Sequence, residues 1–325
     1  DIVDNVNFMG TASGNNVDVA FRRNNIAAGK IATTSTSFGV GALTAGTTSN
    51  STAFGNNALL LNTGDNNVAV GNSTLATNTT GIQNTGVGNN ALNLNRGSAN
   101  SAFGMGALRS NSTGSNNTGI GFEALQANTT ASNNTGIGFQ ALRSNITGTS
   151  NTAVGFQAGE NTTASSNTSL GFQAHQMNTS GSQNVAIGER SLGRNSGSQN
   201  TVIGWEAMFG STSSASNSTA VGWHALFNNS GDSNTAIGRD ALQGNTTAAN
   251  NTAVGARALN DNSTGARNTA VGRDAGFAAT SSDGTFIGFN AGAYSTGTQN
   301  TAVGANALDA SGATARNVAI GFNAL

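Results

Sequence analysis

The sequence contains no cysteine and no proline, and only 8% of its residues are charged. Without cysteine, neither disulfides nor thiolate metal sites can hold the chain together. Packing and hydrogen bonds must do so, which suits a secreted or virion protein. Charge is scarcest over residues 31–120, where only Asp65, Arg96 and Arg109 carry it. The net charge of −1 offers no basic surface to nucleic acid and no polybasic run to an anionic membrane. No apolar run reaches the roughly 18 residues that cross a bilayer, so membrane insertion is not expected. The chain begins at Asp1 without a signal peptide and stops inside a repeat at Leu325. Both ends are therefore expected to be cut points.

Scarce charge does not signal disorder in this chain. Disordered segments carry many charges and few β-branched residues, whereas Val, Ile and Thr recur here at fixed places. Aligning the sequence on one glycine, from Gly39, Gly55 and Gly71 to Gly304 and Gly321, gives 18 copies spaced 16 to 18 residues apart. The consensus reads N-T-A-[VIF]-G-x-x-A-L-x-x-N, followed by a short Ser/Thr/Gly/Asn linker. The residue before the glycine is apolar in all 18 copies. Three places after the glycine stands Ala in 16 copies, with Thr74 and Ser191 the exceptions. Leu follows in 13 copies, and Asn stands four before the glycine in 14, as at Asn117, Asn151 and Asn251.

The period selects the architecture. Helical repeats need roughly 30 residues or more; a unit of this size holds two short strands and two turns. In T-A-V-G the β-branched residues lie two apart and share one face of a strand, with the small residue on the other. Asn-Gly, the strongest tight-hairpin signal, never occurs. A coil whose strand pairs with its copy in the next coil is the better reading. The fold class is thus all-β: a parallel β-roll, or β-solenoid, of about 18 coils. Stacked coils place equivalent residues about 4.8 Å apart, so asparagines can bond up the stack and also serve left-handed or Asx turns. Gly121, Gly138, Gly155 and Gly255 exemplify a column suited to a corner or close backbone approach. Ala and Leu after the glycine are neighbours, so one column is expected to leave the coil. If Leu leaves, it forms an apolar ridge that identical chains around an axis would cover.

Residues 1–34 lie outside the repeat. From Asn16 to Ile31 they read as strand, turn and strand, a cap or connector ahead of the repeat domain of 35–325. Such cover protects an open strand edge.

The N-T-A-V-G-x-x-A-L unit resembles the head repeat of YadA-type trimeric autotransporter adhesins, and similar repeats occur in phage tail fibres. The resemblance covers about residues 35–325. It implies a left-handed parallel β-roll in a homotrimer, placed outside the cell as a virion tail fibre or on a cell surface. The implied partners are two further copies of the chain, other fibre or tail proteins, and a cell-surface glycan or protein receptor. The present units are longer than the family's and carry Leu after Ala. The leading F-R-R-N-N is more like the start of a phage fibre module.

Chemistry-bearing motifs are few, and neither enzymatic activity nor a cofactor is expected. Gly86-x-Gly88-x-x-Ala91, Gly119-x-Gly121-x-x-Ala124 and Gly136-x-Gly138-x-x-Ala141 match a dinucleotide fingerprint. That fingerprint needs a strand–turn–helix, so the matches are by-products of the repeat. Neither His175 nor His224 has triad or metal-ligand spacing. His224 shares a column with Arg190, Glu206, Asp240, Arg257 and Asp274, an expected ion-pair ladder between coils. Sequons such as Asn78-Thr79-Thr80 follow from composition.

One column points to recognition. The residue after the glycine is Phe122, Phe139, Phe156 and Phe172 in four successive coils, then Trp205 and Trp223 further on. If exposed, this strip suits stacking on sugars or packing on a partner; alternatively it is buried between subunits or strands. The leading functional expectation is a non-enzymatic structural and adhesive fibre. An ice-binding solenoid is the first alternative, on the Thr column at Thr118, Thr135, Thr152 and Thr252. A fibre-borne glycan depolymerase is the second, although paired acids are few.

Overall fold

The computed structural model describes residues 19–23, 26–32, 34–44, 50–210, 214–309 and 314–325. It divides into two compact units, Asp1–Thr163 and Ala164–Leu325. Both are parallel β-solenoids without a helix among the described residues. No described helix is therefore long and apolar enough to cross a membrane.

The first unit opens with β1 (Val19–Arg23) and β2 (Ile26–Ile31), an antiparallel hairpin. β2 then pairs antiparallel with β3 (Thr36–Phe38) in the register Gly29 to Phe38. The edge of β3 facing away from the repeats is thereby occupied. The start of the expected leading strand, residues 16–18, lies outside the described residues. From β3 to β10 (Thr152–Val154) each coil contributes one three-residue strand, paired parallel and in register with the next. The second unit repeats the pattern from β11 (Thr168–Leu170) to β20 (Val318–Ile320). Seven parallel pairings close turns in the first unit and nine in the second, about 16 turns where about 18 coils were expected.

The expectation of two strands per unit is corrected to one. The rest of each coil is turn, yet its backbone also bonds to the next coil. Gly121 N–H donates to Phe103 O at 2.7 Å, and Leu125 N–H to Ala141 O at 2.9 Å. Backbone polarity is therefore satisfied beyond the strand.

Within each strand the small central residue points inward and its neighbours outward. Ala153 and Ala236 are fully buried, whereas their flanking residues are half-buried or exposed. A thin coil favours Ala, Ser or Gly there, and only Val202 and Phe286 depart from that set in the repeat strands. The expected departure of Ala or Leu does not occur. Ala124 and Leu125 are both fully buried, as are Ala241 and Leu242. Leu125 has φ 54° and Leu242 φ 50°, so the chain turns at this point and strand alternation no longer applies. There is accordingly no Leu ridge. Left-handed backbone at a non-glycine residue costs about 1–2 kcal/mol, which burial of a Leu side chain offsets at about 1.5–3 kcal/mol.

The glycine column is a steric requirement. Gly138 and Gly155 have φ 133° and 138°, a region closed to other residues. A Cβ on Gly138 would stand 2.7 Å from the carbonyl carbon of Gly155. Gly121 and Gly255 adopt the same conformation at φ 130° and 134°.

Asparagines form ladders inside the coil. Asn117 Oδ1 accepts the backbone N–H of Asn134 at 3.0 Å, and its Nδ2 donates to Ala131 O at 2.9 Å. Asn151 N–H is held by Asn134 Oδ1, and Asn251 N–H by Asn234 Oδ1, both at 2.9 Å. The bond climbs mainly from amide oxygen to backbone N–H. The left-handed residue is the one before each Asn, such as Asn116 at φ 58°. A second ladder bonds amide to amide, with Asn111 Nδ2 on Asn95 Oδ1 at 2.6 Å and Asn128 Nδ2 on Asn111 Oδ1 at 2.7 Å.

Candidate functional site

Two outward columns flank the invariant glycine. The one before it ends each repeat strand from β3 to β20; it is apolar throughout, and its side chains range from half-buried to exposed. Phe54, Val70, Phe103 and Ile120 are 38–41% accessible in the first unit. Leu170, Ile203, Ile237, Val271 and Ile287 are 38–45% accessible in the second. A side chain stacked above and below by its own column can expose little more than its outer edge, so these faces are bare. Phe38 and Phe54 stack within it, with centroids 5.1 Å apart.

The column after the glycine lies beyond the positive-φ turn and carries the aromatic strip. Phe122, Phe139 and Phe156 stack at 5.2 and 5.0 Å with planes within 10°. Phe139 and Phe156 are about two-fifths exposed, and Phe122 is half-buried. In the second unit Phe172 is exposed, Glu189 follows, and Trp205 and Trp223 stack at 5.8 Å with planes 5° apart. The strip is thus surface within each unit. Phe289 belongs to the same column and is equally exposed; its position after Gly288 was the available signal.

The charge column lies next to the aromatic one. Arg190 contacts Glu206 at 3.2 Å, and Glu206 contacts His224 Nε2 at 3.1 Å. His224 Nδ1 is 3.8 Å from Asp240, and Arg257 reaches Asp274 at 2.7 Å. Pairing between coils is therefore present. Arg239–Asp240 and Arg273–Asp274 add pairs between adjacent residues at 3.4 and 3.3 Å. His224 also stacks on Trp223 at 4.0 Å, so one residue joins the charged and aromatic columns. In the first unit Arg143 contacts Glu123 at 3.1 Å. Away from these columns, the hydrogen bond from Arg267 holds Asp283 below the usual carboxylate range and raises Arg267 itself.

His175 has no place on this surface. It occupies the Leu column, fully buried, and burial lowers its pKa to about 3. It is therefore a neutral core residue at physiological pH.

Comparisons with protein-family models, curated proteins and solved structures find no match to this chain.

Proposed function

We propose that this chain is a non-enzymatic structural and adhesive fibre segment, a left-handed β-roll that joins two copies of itself in a trimeric rod. Its place would be extracellular, in a virion tail fibre or a bacterial surface adhesin that mediates attachment. The observation that carries this reading is the outward apolar column that ends every repeat strand, exposed or half-buried in each coil. A symmetric interface running along a solenoid needs an apolar contribution from each coil. Only the column before the glycine supplies one in all 18 copies. The column after the glycine varies among Val, Asn, Met, Phe, Glu, Trp, Arg and Ala, which suits recognition at the rod surface. The resemblance to adhesin head repeats and the unit's β-roll winding support the same reading.

Multi-angle light scattering tests it. The expected mass is three times the chain mass of 32.2 kDa, and a monomer overturns the proposal. Ice binding has one observation in its favour, the outward Thr column, with Thr152, Thr201 and Thr269 exposed. Thermal hysteresis near zero would remove it.

A further inference from the structure

A cleft of about 280 Å³ opens beside the aromatic column of the second unit, bordered by Arg257, Arg273, Asp274, Phe289, Tyr294 and Asp309. Its origin is legible in the repeat. The residue five after the glycine is Phe277 in one coil, Ala293 in the next and Asp309 in the third. The small Ala293 leaves a gap where its column neighbours are larger.

The walls of the gap are fixed before any ligand arrives. Asp274 is nearly buried and contacts both arginines, Arg257 Nη2 at 2.7 Å and Arg273 Nε at 3.3 Å. Each guanidinium also lies over a ring, Arg273 on Phe289 at 4.5 Å and Arg257 on Phe277 at 5.3 Å. A guanidinium has five N–H donors in a rigid fork, and these contacts engage one nitrogen of each. The same cleft is lined by the partly exposed Asp309 carboxylate, by Phe289 beneath Arg273, and by Tyr294, which is about half exposed. Asp274 and Asp309 together match the two arginines in charge. What the mouth offers an anion is the set of guanidinium N–H donors that Asp274 leaves unengaged.

We infer that this cleft binds an acidic saccharide unit, a pyranose ring that carries one carboxylate. The apolar face of the ring rests on Phe289 or Tyr294. The carboxylate meets the arginine forks, where planar bidentate geometry is favoured. Asp309 accepts from ring hydroxyls. The cleft is at the small end of ligand pockets, matched to one sugar ring rather than a long chain. The fork engages a planar carboxylate, whereas a neutral hexose would leave the remaining N–H donors of the two guanidiniums to hydroxyls or water. The site deepens the fibre reading by naming a receptor chemistry, and it rests on that reading only for its biological use.

Saturation-transfer NMR and calorimetry with methyl β-glucuronide on the full chain test it, with methyl β-glucoside as the uncharged comparison. Saturable binding of the glucuronide is expected, with the glucoside at least tenfold weaker. Arg273→Gln and Tyr294→Ala, both exposed positions, should each weaken glucuronide binding at least tenfold while leaving the melting temperature unchanged. No saturable binding at tens of millimolar overturns the proposal. So does equal affinity for the two sugars, or binding indifferent to Arg273→Gln. Mass measured on the same sample reports the trimer separately, so failure of one reading is distinct from failure of the other.

Discussion

The ring of Phe286 occupies the space that a side chain on Gly292 would need. Phe286 stands in the inward strand column that elsewhere holds Ala, Ser, Gly or Val, and it is fully buried. Gly292 stands in the Leu column of the same coil, and Gly276 in that of the coil before. A Cβ on Gly276 would lie 2.7 Å from Cδ2 of the Phe286 ring. One ring thus takes space that leucine side chains fill in other coils.

Restoring the consensus at one position should therefore destabilise. Gly292→Leu adds a side chain to filled space and is expected to cost about 1–3 kcal/mol or more. Backbone strain does not add to this, because Leu308 holds φ 51° in the same column and Gly292 is at 61°. Phe286→Ala alone opens a cavity and costs about 3–5 kcal/mol. Combining Phe286→Ala with Gly276→Leu and Gly292→Leu should recover most of the loss. Melting curves of the four proteins measure the coupling, and additive losses would contradict the shared space.

His175 gives the protein an acid-sensitive point. Burial lowers its pKa from 6.5 to about 3, while the unfolded chain keeps the ordinary value. The folded state thus binds this proton more weakly than the unfolded one. Stability from this group is complete above pH 6.5 and falls as the pH drops through the window down to about 3. By pH 4.5 the loss should reach about 3 kcal/mol. His175→Leu restores the column's usual residue. It should flatten the dependence of melting temperature on pH between 6.5 and 4. An equally steep dependence in the variant would show that other groups govern acid unfolding.

The asparagine ladder predicts an order among substitutions at one site. Asn134 Oδ1 accepts the Asn151 N–H at 2.9 Å, and its Nδ2 donates to Gly148 O at 2.8 Å. Ser fills the equivalent place at Ser51 and Ser218, where Oγ accepts the same backbone N–H at 3.2 Å. Asn134→Ser should therefore lose one bond and Asn134→Ala two, the latter at about 2–5 kcal/mol for groups left buried. Asn134→Asp should be worst, because a carboxylate oxygen would face the Gly148 carbonyl in a dry interior. Denaturant unfolding at neutral pH ranks the three, and Asp more stable than Ala would contradict the donor role of Nδ2.

Much of the coil was legible because each position repeats many times. The glycine column, the parallel stacking and the charge pairs follow from side-chain chemistry that recurs in register. Ala124 and Leu125 were not legible in the same way. Period-two alternation assumes extended backbone, and a φ of 54° at Leu125 turns both side chains inward. Asn116 and Asn117 show a second limit. Both types suit a left-handed turn, but only the first adopts it, while the second spends its side chain on the ladder. The cleft beside Tyr294 depends on Ala293 lying between larger neighbours in the next coils, a relation visible only once the coils are stacked. Within each unit the aromatic strip is open.

The apolar column before the glycine should separate folding from association. Ile120 and Ile237 point outward and are 38% and 41% exposed, so a charged residue there enters water in the isolated chain. Surface changes of this kind usually alter stability by no more than about 0.5 kcal/mol. In a trimer built on this column, the same charge is buried against two copies of itself, without a partner. Desolvation and like-charge repulsion then act in every subunit. The variant Ile120→Glu/Ile237→Glu is expected to remain a folded solenoid by circular dichroism but to sediment as a monomer. Phe139→Ala, in the column beyond the glycine, should leave the trimer intact. If Ile120→Glu/Ile237→Glu stays trimeric while Phe139→Ala dissociates it, the interface lies on the aromatic strip instead.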